Sequence, residues 1–276
     1  MNSIPNIPGI TGFDKIDPEA PFKKLVELNK RFDVSKLSTD EILGKALKLP
    51  LEDALDKWVT SNQPMIDIKD KIRAIQRKNS QAPVLICGPT GTGKELLARA
   101  LRIPRQPFVA MNCGAIPDNL IESILFGHIK GAFTGADGSR PGLLASAGEG
   151  IIFLDEIGEL PLHLQSKFLR AIQEMEIYPV GDVNPTEIHC RFVAATNKNL
   201  LELVELKQFR EDLYIRLSTH ELHITGLAER PDDIPLIAKE LGWETPIPVE
   251  VTPDIYRFNV RGIQRYIERM ITYGKY

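Results

Sequence analysis

This sequence has few cysteines, no long apolar run and a net charge close to zero. The 276 residues include three cysteines, Cys87, Cys113 and Cys190, which lie far apart and form no C-x-x-C pair. A disulfide or metal framework is therefore not expected, and buried, reduced thiols are the plainer interpretation. No apolar run approaches the ~18 residues that span a membrane. The net charge of -3 gives no global positive field for nucleic acid. We expect a cytoplasmic protein without membrane contact.

The remaining composition is that of a globular protein, with 43% hydrophobic and 26% charged residues. Residues 1–60 are predicted to form an N-terminal arm, rich in proline and glycine, and a helical extension with recurring leucines. Residues 61–227 are predicted to form an α/β domain, and residues 228–276 a short helical lid. At the start of the α/β domain, Met65, Ile68, Ile72 and Ile75 recur at the spacing of one face of an amphipathic helix.

Five short apolar runs predict the strands of the α/β domain. They are Val84 to Cys87, Phe108 to Met111, Ile151 to Leu154, Phe192 to Ala195 and His220 to Ile224. Helix-length segments separate most of these runs, so a parallel sheet covered by helices on both faces is the expected architecture.

A glycine-rich loop, GPTGTGK, follows the first strand and precedes a predicted helix from Glu95 to Leu101. Its glycines let backbone N–H groups surround phosphates, and Lys94 would reach the β- and γ-phosphates of a nucleotide. The general P-loop motif ends in Ser or Thr where Glu95 stands here, so a glycine turn that only packs against a helix is the alternative. The predicted nucleotide-binding residues are Gly88, Pro89, Thr90, Gly91, Thr92, Gly93, Lys94, Glu95 and Leu96.

The third predicted strand ends in two acids, Asp155 and Glu156. Ligands of open α/β sheets bind at the carboxyl ends of the strands. Asp155 is therefore a candidate ligand of Mg²⁺, and Glu156 a candidate base that polarises the water attacking the γ-phosphate. Two acids after a strand are alone more often a solvated turn, but with the P-loop upstream they predict an ATPase that uses ATP and Mg²⁺.

Several longer motifs give the sequence a family resemblance. Residues 131–136 read GAFTGA, the P-loop reads GPTGTGKE, and FLDEIGELP, LQSKFLRAIQE, AATN and FREDLYIRL begin at Phe153, Leu164, Ala194 and Phe209. Together they resemble the AAA+ domain of sigma-54-dependent transcription activators, also called bacterial enhancer-binding proteins. The resemblance covers about Asn62 to Ile271 and implies an AAA+ P-loop NTPase fold.

The resemblance implies roles for particular residues in a ring, usually a hexamer, with ATP at each subunit boundary. Asn112 would be a switch that restrains Glu156, and Asn197 a sensor of the γ-phosphate. Arg210 and Arg216 would act as arginine fingers in the neighbouring subunit's site, and Arg261 as the sensor arginine of the lid. An exposed salt bridge is the plainer alternative for each arginine.

The GAFTGA motif implies a contact with sigma-54, RNA polymerase holoenzyme and promoter DNA. Its residues are Gly131, Ala132, Phe133, Thr134, Gly135 and Ala136. The glycines give the loop freedom to move, while Phe133 and Thr134 provide an apolar and hydrogen-bonding tip. A hairpin whose aromatic residue packs back on its own domain is the alternative.

The sequence departs from the family in several ways. Ile129 stands where an acidic residue is usual, and Gly262 follows Arg261 where a glutamate is usual. The lid is short, and neither a receiver domain nor a helix-turn-helix is recognised in these 276 residues. We therefore expect either a shortened form or an activator that works without enhancer binding. Two further alternatives are an AAA+ motor with another client and a nucleotide-gated module that binds sigma-54 without hydrolysis.

Overall fold

A computed structural model describes residues 55–103 and 106–273. Its centre is a sheet of five strands: β1 (Val84–Cys87), β2 (Phe108–Asn112), β5 (Ile151–Asp155), β8 (Arg191–Thr196) and β9 (His220–His223). Their order in the sheet is β2-β5-β8-β1-β9, and every pairing is parallel. All five predicted strands and the parallel α/β fold are therefore confirmed. The arm and most of the extension predicted for residues 1–60 lie outside the described residues.

Helices cover both faces of this sheet. The main ones are α1 (Gln63–Arg77), α2 (Lys94–Ala100), α3 (Asp118–Phe126), α5 (Leu162–Glu174), α6 (Leu200–Glu205) and α7 (Glu211–Leu217), with the single turn α4 (Leu143–Ser146) after α3. Alternate strand residues face opposite sides, so Val84 and Ile86 join one core with α1, whereas Leu85 joins another with α3, α5 and α7. The predicted face of α1 is confirmed, since Met65, Ile68, Ile72 and Ile75 are all buried.

Two short hairpins project from the α/β layer. The first pairs β3 (Gly127–His128) with β4 (Arg140–Pro141), and the second pairs β6 (Glu176–Ile177) with β7 (Thr186–Glu187). They contact each other, because the N–H of Ile129 donates to the carbonyl of Val180 over 3.1 Å and the N–H of Val180 donates to that of Gly127 over 2.8 Å. The GAFTGA motif lies in the loop of the first hairpin.

Three helices with their own apolar core follow the sheet: α8 (Asp233–Glu240), α9 (Thr252–Phe258) and α10 (Val260–Tyr273). The contact of α9 with α10 explains Gly262, because a Cβ there would lie 2.8 Å from the Cα of Ile255. The start of α8 is held by the buried carboxylate of Asp233, which accepts hydrogen bonds from Arg230, Thr60 and Ser61. The segment before α1 is thereby joined to the lid.

Candidate functional site

The P-loop, the acidic pair and Asn197 all follow the carboxyl ends of adjacent strands. The sheet order puts β5, β8 and β1 side by side, and Asp155, Asn197 and Gly88 stand at or directly after their ends. The three predicted motifs therefore meet at one edge of the sheet, where open α/β sheets bind their ligands.

Glycines shape the P-loop and bring it against the lid. Gly91 and Gly93 adopt φ values of 79° and 97°, the left-handed region that favours glycine. A Cβ on Gly91 would lie 2.3 Å from the carbonyl oxygen of Phe258, at the end of α9. Any side chain at position 91 would therefore separate the loop from the lid.

Lys94 begins α2, one residue before the predicted helix start, and folds back over the loop. Its Nζ donates to the carbonyl oxygens of Gly88 and Pro89 over 2.9 and 3.1 Å. Burial lowers the pKa of Lys94, against the opposing charge of Asp155. These carbonyl contacts hold the ammonium group where phosphate oxygens can replace the two acceptors.

Asp155 and Glu156 differ in their surroundings. Burial raises the pKa of Asp155, while the N–H of Glu156 and the charge of Lys94 oppose that rise. Glu156 has a left-handed backbone, with φ 54°, and its Oε2 lies 2.7 Å from where a Cβ on Gly114 would be.

The carboxylate oxygens of Asp155 suit Mg²⁺. Glu95, at the usual hydroxyl position, instead forms an ion pair of 2.7 Å with Arg99, so Asp155 is the residue that would hold the ion.

Asn112 lies beside the same glycine as Glu156. Its Oδ1 accepts hydrogen bonds from the N–H groups of Gly114 and Ala115 over 2.9 and 3.1 Å. Between these two described side chains no direct hydrogen bond is present. The structure therefore brings Asn112 and Glu156 together around Gly114, and the switch role stays a prediction.

Asn197 and the lid both contact the P-loop. Asn197 Nδ2 donates to Thr90 Oγ1 over 3.1 Å, and Arg261 Cγ lies 3.4 Å from the position of a Cβ on Gly91. The short lid thus brings Arg261 to the loop, with its charge among those that act on Lys94.

Two site residues were missed from the sequence. Asn259 is buried, donates from Nδ2 to the carbonyl of Thr90 over 3.0 Å and accepts from the N–H of Leu227 over 2.7 Å. Trp58 is 5% exposed, and its Nε1 lies 3.3 Å from where a Cβ on Gly93 would be. Asn259 lies two residues before Arg261, which drew attention to this stretch of the lid, but no local pattern marked its contact with Thr90 or the position of Trp58.

Arg210 and Arg216 are both exposed. Arg210 pairs with Asp212 over 2.7 Å. Arg216 lines a surface cavity with Pro83, just before β1, and with Phe192 in β8. That cavity is at the amino ends of the strands, opposite the edge where the P-loop lies, so Arg216 is remote from the P-loop of the same chain.

The GAFTGA loop is folded and partly solvent-exposed. The N–H of Gly131 donates to the carbonyl of Ala136 over 2.9 Å, and Phe133 is 42% exposed while its ring meets that of His128 edge-on at 5.0 Å. Ile129 and Ala132 pack against Gly181 of the second hairpin. Phe133 therefore combines partial exposure with a contact to its own domain.

This geometry defines the class of the protein: an α/β nucleotide-binding domain of the AAA+ P-loop type. Residues 58–223 match the family described as the Sigma-54 interaction domain. Because the match covers more than half of the chain, this chain belongs to that family.

Among curated relatives, the chain is 42% identical over 230 residues to the transcriptional activator HyfR of Escherichia coli, covering 77% of this chain and 34% of that protein. It is 41% identical over 268 residues to the response regulator PilR of Pseudomonas aeruginosa, covering 89% and 59%. The chain thus spans between about a third and three fifths of these two relatives. Among solved structures, it resembles NtrX from Brucella abortus in complex with ADP, with TM-score 0.69, 25% identity and coverage of 87% and 58%.

Proposed function

We propose that this chain is an ATP-hydrolysing motor that remodels sigma-54 RNA polymerase holoenzyme through residues 131–136. The observation that carries the proposal is the meeting of Lys94, Asp155 and Asn197 at the ends of three adjacent strands. Membership of the family supports sigma-54 as the client, and the exposed Phe133 supports the loop as the contact.

In the proposed reaction, Lys94 exchanges its two carbonyl acceptors for phosphate oxygens of ATP. Glu156 accepts a proton from the attacking water, and Asn197 orients groups near the γ-phosphate. Mg²⁺ on Asp155 would neutralise charge on the phosphates. The contact of Glu156 with the segment after Asn112 offers a path by which hydrolysis alters that segment.

The position of Arg216 supports a ring, for which the family resemblance implies six subunits. Arg216 is at the amino ends of the strands and cannot meet the phosphates of its own subunit. In a ring it would meet those of the neighbour, where an arginine finger contributes about 10³–10⁵ in rate.

The test mixes two inactive variants, Arg216→Ala and Glu156→Gln. Some subunit boundaries of a mixed ring would pair an intact Arg216 with an intact Glu156, so ATPase activity should reappear on mixing. Arg170→Ala, an exposed arginine of α5, is the matched control and should keep parental activity alone. Mixtures that stay as inactive as their components would contradict the proposal.

The two alternatives predict other results. A motor with another client would hydrolyse ATP yet form no complex with sigma-54. A nucleotide-gated module would bind sigma-54 with ATP present and leave the ATP intact. The main proposal includes a contact with promoter DNA and a cytoplasmic location. Among the residues that the structure describes, none of the helices has the length and apolar character of a membrane span.

A further inference from the structure

Cys87, Glu221 and His223 form a cluster that the ATPase reaction does not use. Cys87 ends β1, and Glu221 and His223 belong to β9, the neighbouring strand at the edge of the sheet. The parallel register pairs Cys87 with His223 and Leu85 with Glu221. Residues two apart along a strand share a face, so all three side chains project from the same side of the sheet.

The donor atoms of this cluster converge. Cys87 Sγ lies 3.5 Å from Glu221 Oε1, and His223 Nε2 lies 3.2 Å from the same oxygen. All three donor atoms lie within 4.8 Å of one another. Bonds of about 2.3 Å from zinc to sulfur and about 2.1 Å to nitrogen or oxygen put the ligand atoms of a tetrahedral site about 3.6 Å apart. Two of the three separations already match that spacing.

We propose that Cys87, Glu221 and His223 bind one Zn²⁺ ion and thereby join the end of β1 to the edge strand. Thiolate, imidazole and carboxylate are the zinc ligands of proteins, and three of them leave a fourth position for water. As the Zn–S bond forms, the Cys87 thiol releases its proton to solvent. This cluster departs from the sequence expectation of inert cysteines, because its members are 134 residues apart in the chain and only the strand register unites them.

Access and charge both suit a cation. The side chain of His223 is 70% exposed at the sheet edge, which provides a route of entry, whereas that of Glu221 is 27% exposed. A thiolate and a carboxylate carry two negative charges, which one Zn²⁺ neutralises. Bound zinc would hold Cys87, the residue directly before Gly88, against β9. This bond would add to the hydrogen bond of 2.7 Å that the carbonyl oxygen of Cys87 accepts from the N–H of Ile224.

The chain offers a matched control cluster. Cys190 precedes β8, and His189 beside it lies 4.0 Å from Glu187. This set has the same three residue types, with an exposed histidine next to an acid, but its donor atoms do not converge within 4.8 Å. The His189 variant therefore reports non-specific binding by an exposed histidine, and the Cys190 variant reports the effect of removing a buried thiol outside the cluster.

The experiment titrates the full chain, reduced and free of nucleotide and Mg²⁺, with Zn²⁺ against a chromophoric chelator. We expect one Zn²⁺ site per chain. Loss of a residue that only supports a metal ligand typically lowers metal affinity 10–100-fold, so Cys87→Ser and His223→Asn, which each remove a ligand, should lower the affinity for Zn²⁺ by at least that factor. Co²⁺ should give a thiolate charge-transfer band in the parent that Cys87→Ser lacks. Zn²⁺ should also raise the Tm of the parent and not that of His223→Asn.

The variants Cys190→Ser and His189→Asn should bind as the parent does. The proposal is overturned if Cys87→Ser and His223→Asn retain parental affinity, or if the His189 and Cys190 variants lose binding equally. Because His223 is exposed, His223→Asn is expected to fold, and its Tm without metal verifies this. ATPase activity plays no part in these readouts, so the result is independent of the proposed motor function.

Discussion

Asn259, at the junction of α9 and α10, donates a hydrogen bond of 3.0 Å to the carbonyl oxygen of Thr90 in the P-loop. The same side chain accepts from the N–H of Leu227 over 2.7 Å, and the next residue, Val260, donates to the carbonyl of Gly91 over 2.9 Å. One buried amide therefore connects the lid, the segment after β9 and the nucleotide loop.

Replacing Asn259 with Asp should weaken ATP binding more than it weakens the fold. The carboxylate keeps the acceptor for Leu227 but loses the donor to Thr90 and turns an oxygen towards that carbonyl. An unpaired buried group costs about 1–3 kcal/mol, so the Kd for ATP, measured by fluorescence titration, should rise about tenfold. Glu250→Asp, on the exposed segment before α9, is the control. An unchanged Kd for Asn259→Asp would show that this lid contact plays no part in ATP binding.

Glu156→Gln should bind ATP with near-parental affinity and hydrolyse it at least 10²-fold more slowly. The amide is isosteric but accepts no proton from water, and general-base catalysis contributes about 10²–10⁴. Phosphate release under saturating ATP measures the rate. The exposed Glu159→Gln, two residues beyond Ile157, serves as a neighbouring control. Equal rates for Glu156→Gln and the parent would exclude Glu156 as the base.

Gly262→Ala should destabilise the lid. The added Cβ would lie 2.8 Å from the Cα of Ile255 and 3.0 Å from the carbonyl oxygen of Asp254, so α9 and α10 must separate. Overpacking of this kind costs about 1–3 kcal/mol in the free energy of unfolding, which urea denaturation measures. Gly138→Ala, with no atom within 4 Å of its new Cβ, should unfold as the parent does. Equal loss in both variants would show that packing is not the cause.

Asp233→Asn should lower the free energy of unfolding near neutral pH. Burial raises the pKa of Asp233, whereas the hydrogen bonds from Thr60, Ser61 and Arg230 lower it. The hydrogen bonds have the larger combined effect, so the pKa of Asp233 lies below the usual range of a carboxyl group. Such a carboxyl stabilises the fold above its unfolded pKa of about 3.9, and the stabilisation is lost as the pH falls through the folded-state pKa. Losing one partner of a fully buried pair costs about 3–5 kcal/mol.

The pH dependence of unfolding distinguishes this effect from a packing defect. The difference between Asp233→Asn and the parent should shrink as the pH is lowered from neutral towards 3. The exposed neighbour Asp232→Asn should match the parent throughout. A difference that stays constant over this range would contradict the assigned role of the Asp233 charge.

The sequence was sufficient to predict the fold where local pattern and motif agree. The five apolar runs became the five parallel strands, and the spacing of Met65, Ile68, Ile72 and Ile75 matched the buried face of α1. The P-loop and the acidic pair each lie at the end of a predicted strand. Because the carboxyl ends of parallel strands lie at one edge of the sheet, the sequence was enough to predict that these two motifs lie close together.

Contacts between distant segments were beyond reach of the sequence. Trp58 beside Gly93, Asn259 under Thr90 and the convergence of Cys87 with His223 depend on strand order and lid docking, neither of which leaves a local pattern. Gly262 was noticed as a departure, yet its reason, the close approach of Ile255, appears only when α9 and α10 are seen together.

Capture of sigma-54 is the sharpest test of the proposed motor function. Purified sigma-54 is mixed with the full chain in ADP and aluminium fluoride, a mimic of the hydrolytic transition state, and the complex is recovered by pull-down. We expect a complex with the parent and with Thr272→Ala, an exposed threonine of the lid, and no complex with Thr134→Ala. Absence of a complex with the parent, or a complex that Thr134→Ala retains in full, would rule out the proposed contact between the GAFTGA loop and sigma-54.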